Sequence, residues 1–424
     1  MLDVRKIREQ PDFFRESLAR RHSGDEKLIA RVVDLDEQRR KLGQENDTLK
    51  AERNRTSKQI GAVKAAGGDI AEVSARMKAL GDEIAKNDRD LAGIETEQAD
   101  LLLRIPNVTH ESVPSGATAA DNRIERVIGK APEFDFKPRP HWEIGAQLGL
   151  FDLEAATKIS GSGFIVFKGP GARLERALIN YLLDLHTGSH GYTEVSPPFL
   201  VRGESMTGTN QLPKFAEDMY RVEEEPPLYL VPTAEVPVTN LHREEILAEG
   251  DLPIRYAAYT PCFRREAGSA GKDTRGLIRV HQFDKVELVQ IVAPEDSYDA
   301  LEKLVGHAET VLKNFGLHYR VVSLCTGDIG FGAAKCYDLE VWAPGTGAWL
   351  EVSSCSNYED FQARRMNLRY KNAAGKNIFC HTLNGSGLAL PRLYIALLET
   401  FQQADGHFLV PPPLRPYLGG TEKI

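Results

Sequence analysis

Arg264 and Arg392 stand far apart in the chain, with acidic and hydroxyl residues between them. Arg264 lies in Phe263-Arg264-Arg265-Glu266, and Glu351 in Trp349-Leu350-Glu351-Val352-Ser353-Ser354-Cys355. Arg392 closes Asn384-Gly385-Ser386-Gly387-Leu388-Ala389-Leu390-Pro391-Arg392. Each block sets a charged or hydroxyl side chain at the end of an expected strand or the start of an expected helix. Two guanidinium groups with carboxylates between them suit a polyphosphate and its magnesium ion.

Residues two apart in a strand share a face. Cys262, Arg264 and Glu266 therefore point one way, as do Phe283, Lys285 and Glu287 in the next expected strand. Paired as a hairpin, with 267–282 as a Gly-, Arg- and Lys-rich loop, these strands would gather an arginine, two carboxylates and a ring. Salt bridges on a surface hairpin fit the same pattern. Regular alternation sets Ser353 beside Glu351, with Ser354 opposite, and a carboxylate plus a hydroxyl can hold magnesium. Gly385 and Gly387 are expected to open the last helix, offering N–H groups to an anion, with Arg392 in its second turn. An ordinary capped helix with a solvated arginine has the same sequence. No Walker A loop and no G-x-G-x-x-G after a strand is present. The serines around Cys355 lack the setting of a hydrolase elbow, which leaves Cys355 a packed thiol.

The elements that must position these groups differ along the chain. Leu28, Leu35, Leu42 and Leu49 recur every seven residues, in phase with Thr56 and Val63. Ile70, Met77, Ile84 and Leu91 repeat the pattern, with Val73, Leu80, Ile94 and Leu101 interleaved. This spacing predicts two antiparallel helices of about 35 residues, each about 50–55 Å long. Gly67 and Gly68 would end the first and Asp69 would cap the second. Asn46 and Asn87 interrupt the stripe and would fix register. Between Arg39 and Lys64 there are eight basic residues, Lys41 among them, against three acidic ones. Alone, that run fits a solvated coiled-coil face.

Pro106 ends the second helix and 107–140 is a mixed connector. The expected domains are therefore a helical arm over 1–110 and a globular body over 111–424. In the body, Leu174, Ala177, Leu178, Tyr181, Leu182 and Leu185 share one helical face. Strands are expected at Tyr192–Val195, Ile254–Arg264, Phe283–Val292, His318–Val322, Tyr337–Val341 and Ala348–Val352. Helices are expected at Thr233–Ala248, Pro294–Phe315 and Leu388–Ala404. Successive hairpins with few helical crossovers predict an α+β class: an antiparallel sheet flanked by helices, carrying an antiparallel two-helix coiled-coil arm.

The chain has 424 residues, a net charge of −8 and five cysteines. The acidic balance excludes a uniformly basic nucleic-acid coat but not a local basic surface. An odd cysteine count without C-x-x-C suggests reduced thiols in a cytoplasm. No secretory signal and no membrane span is expected.

In order along the chain, the helical hairpin, His141-Trp142-Glu143-Ile144-Gly145, Thr233-Ala234-Glu235, Phe263-Arg264-Arg265-Glu266, Ser353-Ser354-Cys355-Ser356, Asn384-Gly385-Ser386-Gly387-Leu388-Ala389 and Leu414-Arg415-Pro416-Tyr417 resemble class II aminoacyl-tRNA synthetases, specifically the seryl-tRNA synthetase family. The resemblance covers essentially the whole chain. It implies ATP-dependent activation of L-serine and transfer to tRNA(Ser), with tRNA(Sec) as a second candidate, in a homodimer formed through Gly191 to Pro198. By the same resemblance, Arg264, Glu266 and Arg392 would be catalytic. Arg264 would hold the α-phosphate and the serine carboxylate, and Arg392 the γ-phosphate. Glu266 would contact adenine and Phe283 would stack on it, with Arg265, Val280, Val352 and Ser353 also around ATP. Glu351 and Ser354 would hold Mg2+, which requires the strand to distort there. Thr233, Ala234, Glu235, Glu287, Asn384 and Ser386 would form the serine pocket. Arg39, Arg40, Lys50, Arg53, Arg55, Lys58 and Lys64 would face the tRNA. Pro391 leaves the geometry around Arg392 open. The rival readings are a ligase of this fold charging a carrier protein, a class II synthetase for another amino acid, and a non-enzymatic coiled-coil scaffold.

Overall fold

The computed structural model describes residues 1–65, 69, 71–267 and 275–424, the side chains of 61–65 excepted. Ala66, Gly67, Gly68 and Ile70 of the expected helical pattern and part of the 267–282 loop lie outside the described residues, as do the side chains of Val63 and Lys64. The chain divides into two compact units, 1–19 with 23–106, and 20–22 with 107–424. Among the described residues no helix is long and apolar enough to cross a membrane.

The first unit is dominated by helices α1 (Leu28–Ala65) and α2 (Ala71–Arg104). Asp69 Oδ1 accepts a hydrogen bond from the Ala71 N–H at 2.9 Å, which satisfies an otherwise orphaned donor at the start of α2. Ile29, Val32 and Leu35 of α1 are buried, as are Leu80, Ile84 and Leu102 of α2. Leu42, Leu49 and Met77 are only half-buried, because each helix has a single neighbour to cover it. Asn46 and Asn87 are both buried in the seam. Asn46 Nδ2 donates to Asp88 Oδ1 at 2.7 Å, and Lys50 pairs with the same carboxylate at 2.9 Å. Both contacts cross between the helices and pin their register. Arg39 pairs with the fully buried Asp36 at 3.0 Å. Arg40, Arg55 and Lys58 are exposed, and Arg53 is half-buried.

The second unit is built on one sheet. Its strands are β1 (Arg123–Ile128), β2 (Thr193–Glu194), β3 (Ile254–Phe263), β4 (Gln282–Val292), β5 (Tyr319–Ser323), β6 (Lys335–Ala343), β7 (Ala348–Asn357) and β8 (His381–Ala389). They lie in the order β1-β5-β6-β7-β8-β4-β3-β2 and are antiparallel, except that β2 runs parallel to β3. Helices α3 (Gly169–Ser189), α5 (Ser297–Phe315) and α6 (Leu390–Thr400) bury their apolar stripes with this sheet in one large core, while α4 (Glu235–Thr239) is a short buried turn.

Two irregularities of register decide which side chains face away from that core. Leu339 of β6 pairs with Ser353, but Glu340 pairs with Glu351, so Val352 is an extra residue in β7. A bulge of this kind flips the side-chain phase. It turns Ser353 inward, where its hydroxyl donates to the Ser386 carbonyl at 2.7 Å, and brings Ser354 to the side of Glu351. Likewise Val286 of β4 pairs with Leu388, but Glu287 pairs with Ser386, leaving Gly387 as the extra residue in β8.

Three expected elements are corrected. Gly385 and Gly387 lie inside β8 rather than at a helix start. A Cβ on Gly385 would sit 2.8 Å from Cys355 Sγ, and one on Gly387 2.8 Å from His186 Nε2, so close packing of neighbouring side chains demands the glycines. Helix α6 begins at Leu390, because Leu388 and Ala389 still pair with β4, and it ends at Thr400. Pro391 and Arg392 therefore lie in the first turn, where proline forfeits no helical hydrogen bond. The helix expected over 233–248 shortens to α4, a 3-10 turn at Asn240–His242 and a strand at Ile246–Ala248. Its β-branched Val236, Val238 and Thr239 and its Pro237 are buried on every side, so no amphipathic stripe exists to extend it.

Two predictions follow from this packing. Ser353→Ala should lower unfolding free energy by roughly 1–2 kcal/mol, the loss of a buried hydrogen bond, while Ser354→Ala should change it by about 0.5 kcal/mol or less. Equal losses in denaturant titrations would contradict the bulge. Glu175 of α3 is buried, and neither carboxyl oxygen has a partner among the described residues. Burial, then the nearby Asp284, pushes its carboxyl well above the usual range. The native state thus holds a proton that the unfolded chain releases, and stability falls as pH rises above the unfolded value. Glu175→Gln should raise the melting temperature at pH 7–8, with the gain vanishing below about pH 4. A pH-independent difference would contradict this.

Candidate active site

A cavity of about 340 Å³ opens on the face turned away from the core helices. The end of β3 brings Arg264 and Glu266 to it, β4 brings Phe283, Lys285 and Glu287, and β7 brings Glu351, Val352 and Ser354. Asn384 and Ser386 of β8 and Arg392 of α6 complete the ring, with Thr233 and Glu235 beside α4 and Val280 before β4. The two arginines that are distant in sequence therefore share one space.

The polar groups form two sets by their bonding. In the first, Arg392 Nη1 donates to the Glu351 carbonyl at 2.9 Å and lies 3.3 Å from its Oε2. Arg392 Nε donates to the Ile278 carbonyl at 3.4 Å. The Arg264 guanidinium lies 5.1 Å from the centroid of the Phe283 ring, within cation–π range. Glu266, in a left-handed conformation with φ 52°, is ion-paired to Arg279. Glu351 remains 44% exposed and lines the cavity together with Ser354, whose hydroxyl lies 3.2 Å from Cys336 Sγ. Two oxygen donors of this kind match a hard divalent cation arriving with phosphates.

The second set is almost fully buried. Lys285 and Glu287 are ion-paired within β4, and Asn384 Nδ2 donates to Glu287 Oε1 at 2.8 Å. Tyr358 donates its hydroxyl proton to Asn384 Oδ1 at 3.0 Å. Gln362 Nε2 donates to Glu235 Oε1 at 2.6 Å. Burial, reinforced by Glu287 and opposed by Gln362, raises the Glu235 carboxyl to about 7. Glu235 is thus a buried acidic group with room for a cationic partner.

Of the residues nominated from sequence, three do not line the cavity. Ala234 is fully buried among Val238, Ala258 and Val289. Arg265 is exposed, and its N–H donates to the Asp218 carbonyl. Ser353 is turned inward by the bulge. Lys285, Arg279, Ile278, Tyr358 and Gln211 line the cavity without having been nominated. Alternation with Phe283 and Glu287 signals Lys285, and the basic loop signals Arg279. Tyr358 and Gln211 carry no local signal.

The profile of the seryl-tRNA synthetase N-terminal domain matches residues 1–109, and that of the tRNA synthetase class II core domain (G, H, P, S and T) matches residues 220–401. The chain is 56% identical over 419 residues to the serine--tRNA ligase of Akkermansia muciniphila, covering 99% of this chain and 98% of that one. It is 55% identical to the serine--tRNA ligase of Geobacillus kaustophilus over the full length of both. The crystal structure of seryl-tRNA synthetase from Pyrococcus horikoshii complexed with ATP superposes with a TM-score of 0.94 at 37% identity, covering 100% of this chain and 99% of that one. The likeness runs through both the helical hairpin and the sheet, which disfavours the carrier-protein and scaffold readings. The chain therefore belongs to the seryl-tRNA synthetase family of class II aminoacyl-tRNA synthetases.

Proposed function

We propose that this cavity carries out serine activation and that the first unit engages tRNA, with the following division of labour. The observation that carries the reading is the meeting of Arg264, Arg392, Glu351 and Ser354 around one space beside a buried polar recess. Arg264 binds the α-phosphate and the serine carboxylate, and Phe283 stacks on adenine, with Glu266 and Val280 at its edge. Arg392 binds the γ-phosphate. Glu351 and Ser354 would hold Mg2+, whose chemistry when bound is neutralisation of phosphate charge. The Arg392–Glu351 ion pair loosens as each partner gains a ligand of opposite charge.

In the recess, Thr233 and Glu235 receive the ammonium group, and Glu287 and Ser386 read the hydroxyl. Asn384 acts through Glu287, which it orients. A site that hydrogen-bonds a hydroxyl rejects the analogue lacking it by about 10⁴ or more, which covers alanine. Steric closure excludes the extra methyl of threonine.

A serine carboxylate oxygen attacks the α-phosphorus, and the bond from that phosphorus to the bridging oxygen breaks. Pyrophosphate leaves with the electron pair, and seryl-adenylate remains. The nucleophile is already anionic, so no general base is needed. Rate comes from positioning and from the guanidinium charges. A ribose hydroxyl of the terminal adenosine of tRNA then attacks the acyl carbon, the bond from that carbon to the phosphate oxygen breaks, and AMP departs with the electron pair, its phosphate taking up the hydroxyl proton. The exposed Arg40, Arg55 and Lys58, with Arg53, support backbone contacts to tRNA(Ser). The same contacts extend to tRNA(Sec) where it presents the same outline. We also propose a cytoplasmic homodimer. The five buried free cysteines support the compartment, and the edge strand β2, exposed within the Gly191–Pro198 stretch, supports the dimer.

Arg264→Ala should abolish serine-dependent ATP–pyrophosphate exchange while circular dichroism stays native. Normal exchange would remove Arg264 from the chemistry. Replacing Val32–Leu101 by a short linker should leave exchange within about threefold and lower tRNA charging by more than 10²-fold, as expected for uncoupled sites. Equal losses would make the arm structural.

A further inference from the structure

His141 opens the stretch His141-Trp142-Glu143-Ile144-Gly145, and none of these residues lines the cavity. His141 and Glu399 are both fully buried. Glu399 Oε1 accepts from the His141 N–H at 2.9 Å and from the ring Nδ1 at 2.9 Å. It also accepts from the Thr346 hydroxyl at 2.6 Å, while Oε2 accepts from the Thr346 N–H at 2.8 Å. On the far side of the ring, Nε2 accepts from the Leu277 N–H at 3.0 Å. An imidazole that accepts at Nε2 must carry its proton on Nδ1, where the carboxylate receives it. Burial pushes the Glu399 carboxyl up, but these bonds outweigh burial and hold it below the usual range.

The three elements joined at this point are those that carry the nucleotide end of the cavity. Glu399 sits on α6, seven residues and therefore about two turns beyond Arg392, on the same side of the helix. Thr346 lies in the turn between β6 and β7, the strand that carries Glu351 and Ser354. Leu277 begins the run Ile278-Arg279-Val280, all three of which line the cavity. Arg392 Nε in turn donates to the Ile278 carbonyl, which closes a ring of contacts from α6 through Glu399, His141 and Leu277 back to α6. The preceding residue, Gly276, has φ 66°, and a Cβ there would lie 2.2 Å from His141 Nε2, so the backbone can reach the ring only as glycine. Arg275 also stacks on Trp142 at 5.1 Å.

We propose that His141 and Glu399 are positioning residues for ATP: a buried hub that fixes the loop stem 277–280 and the β6–β7 turn relative to Arg392. The proposal rests on the nucleotide reading of the cavity given above. The hub acts through a neutral, tautomer-locked ring, and its substrate-side output is the placement of Ile278, Arg279 and Val280. It should affect ATP more than serine, because Glu235, Glu287 and Ser386 are held by other bonds.

Two substitutions in the full chain separate the ends of the ring. His141→Asn keeps a donor toward Glu399 but cannot reach Leu277, whereas His141→Gln carries an acceptor near the Nε2 position. In unliganded protein, hydrogen exchange of the Leu277 amide should quicken about tenfold or more in the Asn variant and stay near wild type in the Gln variant. In serine-dependent exchange, KM for ATP should rise about tenfold in the Asn variant with KM for serine within about twofold. An unchanged Leu277 amide in the Asn variant, or equal losses in both variants, would overturn the proposal. Should His141→Asn fail to fold, the wild-type ring decides: nitrogen NMR should show a protonated Nδ1 and a bare Nε2 at neutral pH, and the opposite tautomer would overturn it. Absence of exchange in the wild type would sink the nucleotide reading instead, while the amide comparison, made without substrate, would still decide the hub.

Discussion

Two guanidinium groups open into one cavity, and like charges in a shared space repel unless each is answered locally. Arg392 rests on the carbonyl and carboxylate of Glu351, and Arg264 rests over the face of Phe283. Neither partner is as strong as a phosphate, so both arginines are held in place without being satisfied. That condition depends on the sheet. Arg264 leaves the end of β3, Phe283 faces Cys262 across the hairpin, and Arg392 enters from the first turn of a helix launched directly by β8. On the proposed reading, binding of a triphosphate draws on this preorganised charge.

The recess next to it follows a different electrostatic rule. Burial raises the cost of the Glu235 charge, and the nearby Glu287 adds to it. Lys285 offsets Glu287, and Gln362 and Asn384 supply neutral donors. The balance leaves Glu235 a buried carboxyl with room for a cation, the role proposed for an amino acid's ammonium group. On the proposed reading serine and ATP meet opposite fields within one cavity, Glu235 and Glu287 for the amine and Arg264 and Arg392 for the phosphates.

Much of this was legible in the chain because it rests on periodicity. The repeat from Leu28 to Leu91 specifies a helical hairpin, and the strand alternation of Phe283, Lys285 and Glu287 specifies one face of a sheet. Periodicity fails where the backbone breaks phase. Regular alternation put Ser353 with Glu351, and only the extra residue Val352 delivers Ser354 instead. Gly385 and Gly387 look like helix openers because glycine marks both turns and close approaches. The second meaning holds here, since Cys355 and His186 fill the space where side chains would be. Residues that reach the cavity through long-range packing, such as Tyr358 and Gln211, leave no local trace at all.

The central claim is that Arg264 and Arg392 hold different phosphates of one nucleotide. Calorimetric titration of Arg392→Ala with ATP and, separately, with AMP in the presence of Mg2+ tests it most directly. Because AMP has no γ-phosphate, the affinity for ATP should fall about tenfold or more while the affinity for AMP stays within about twofold. An equal loss for both nucleotides, or none for ATP, would contradict the account.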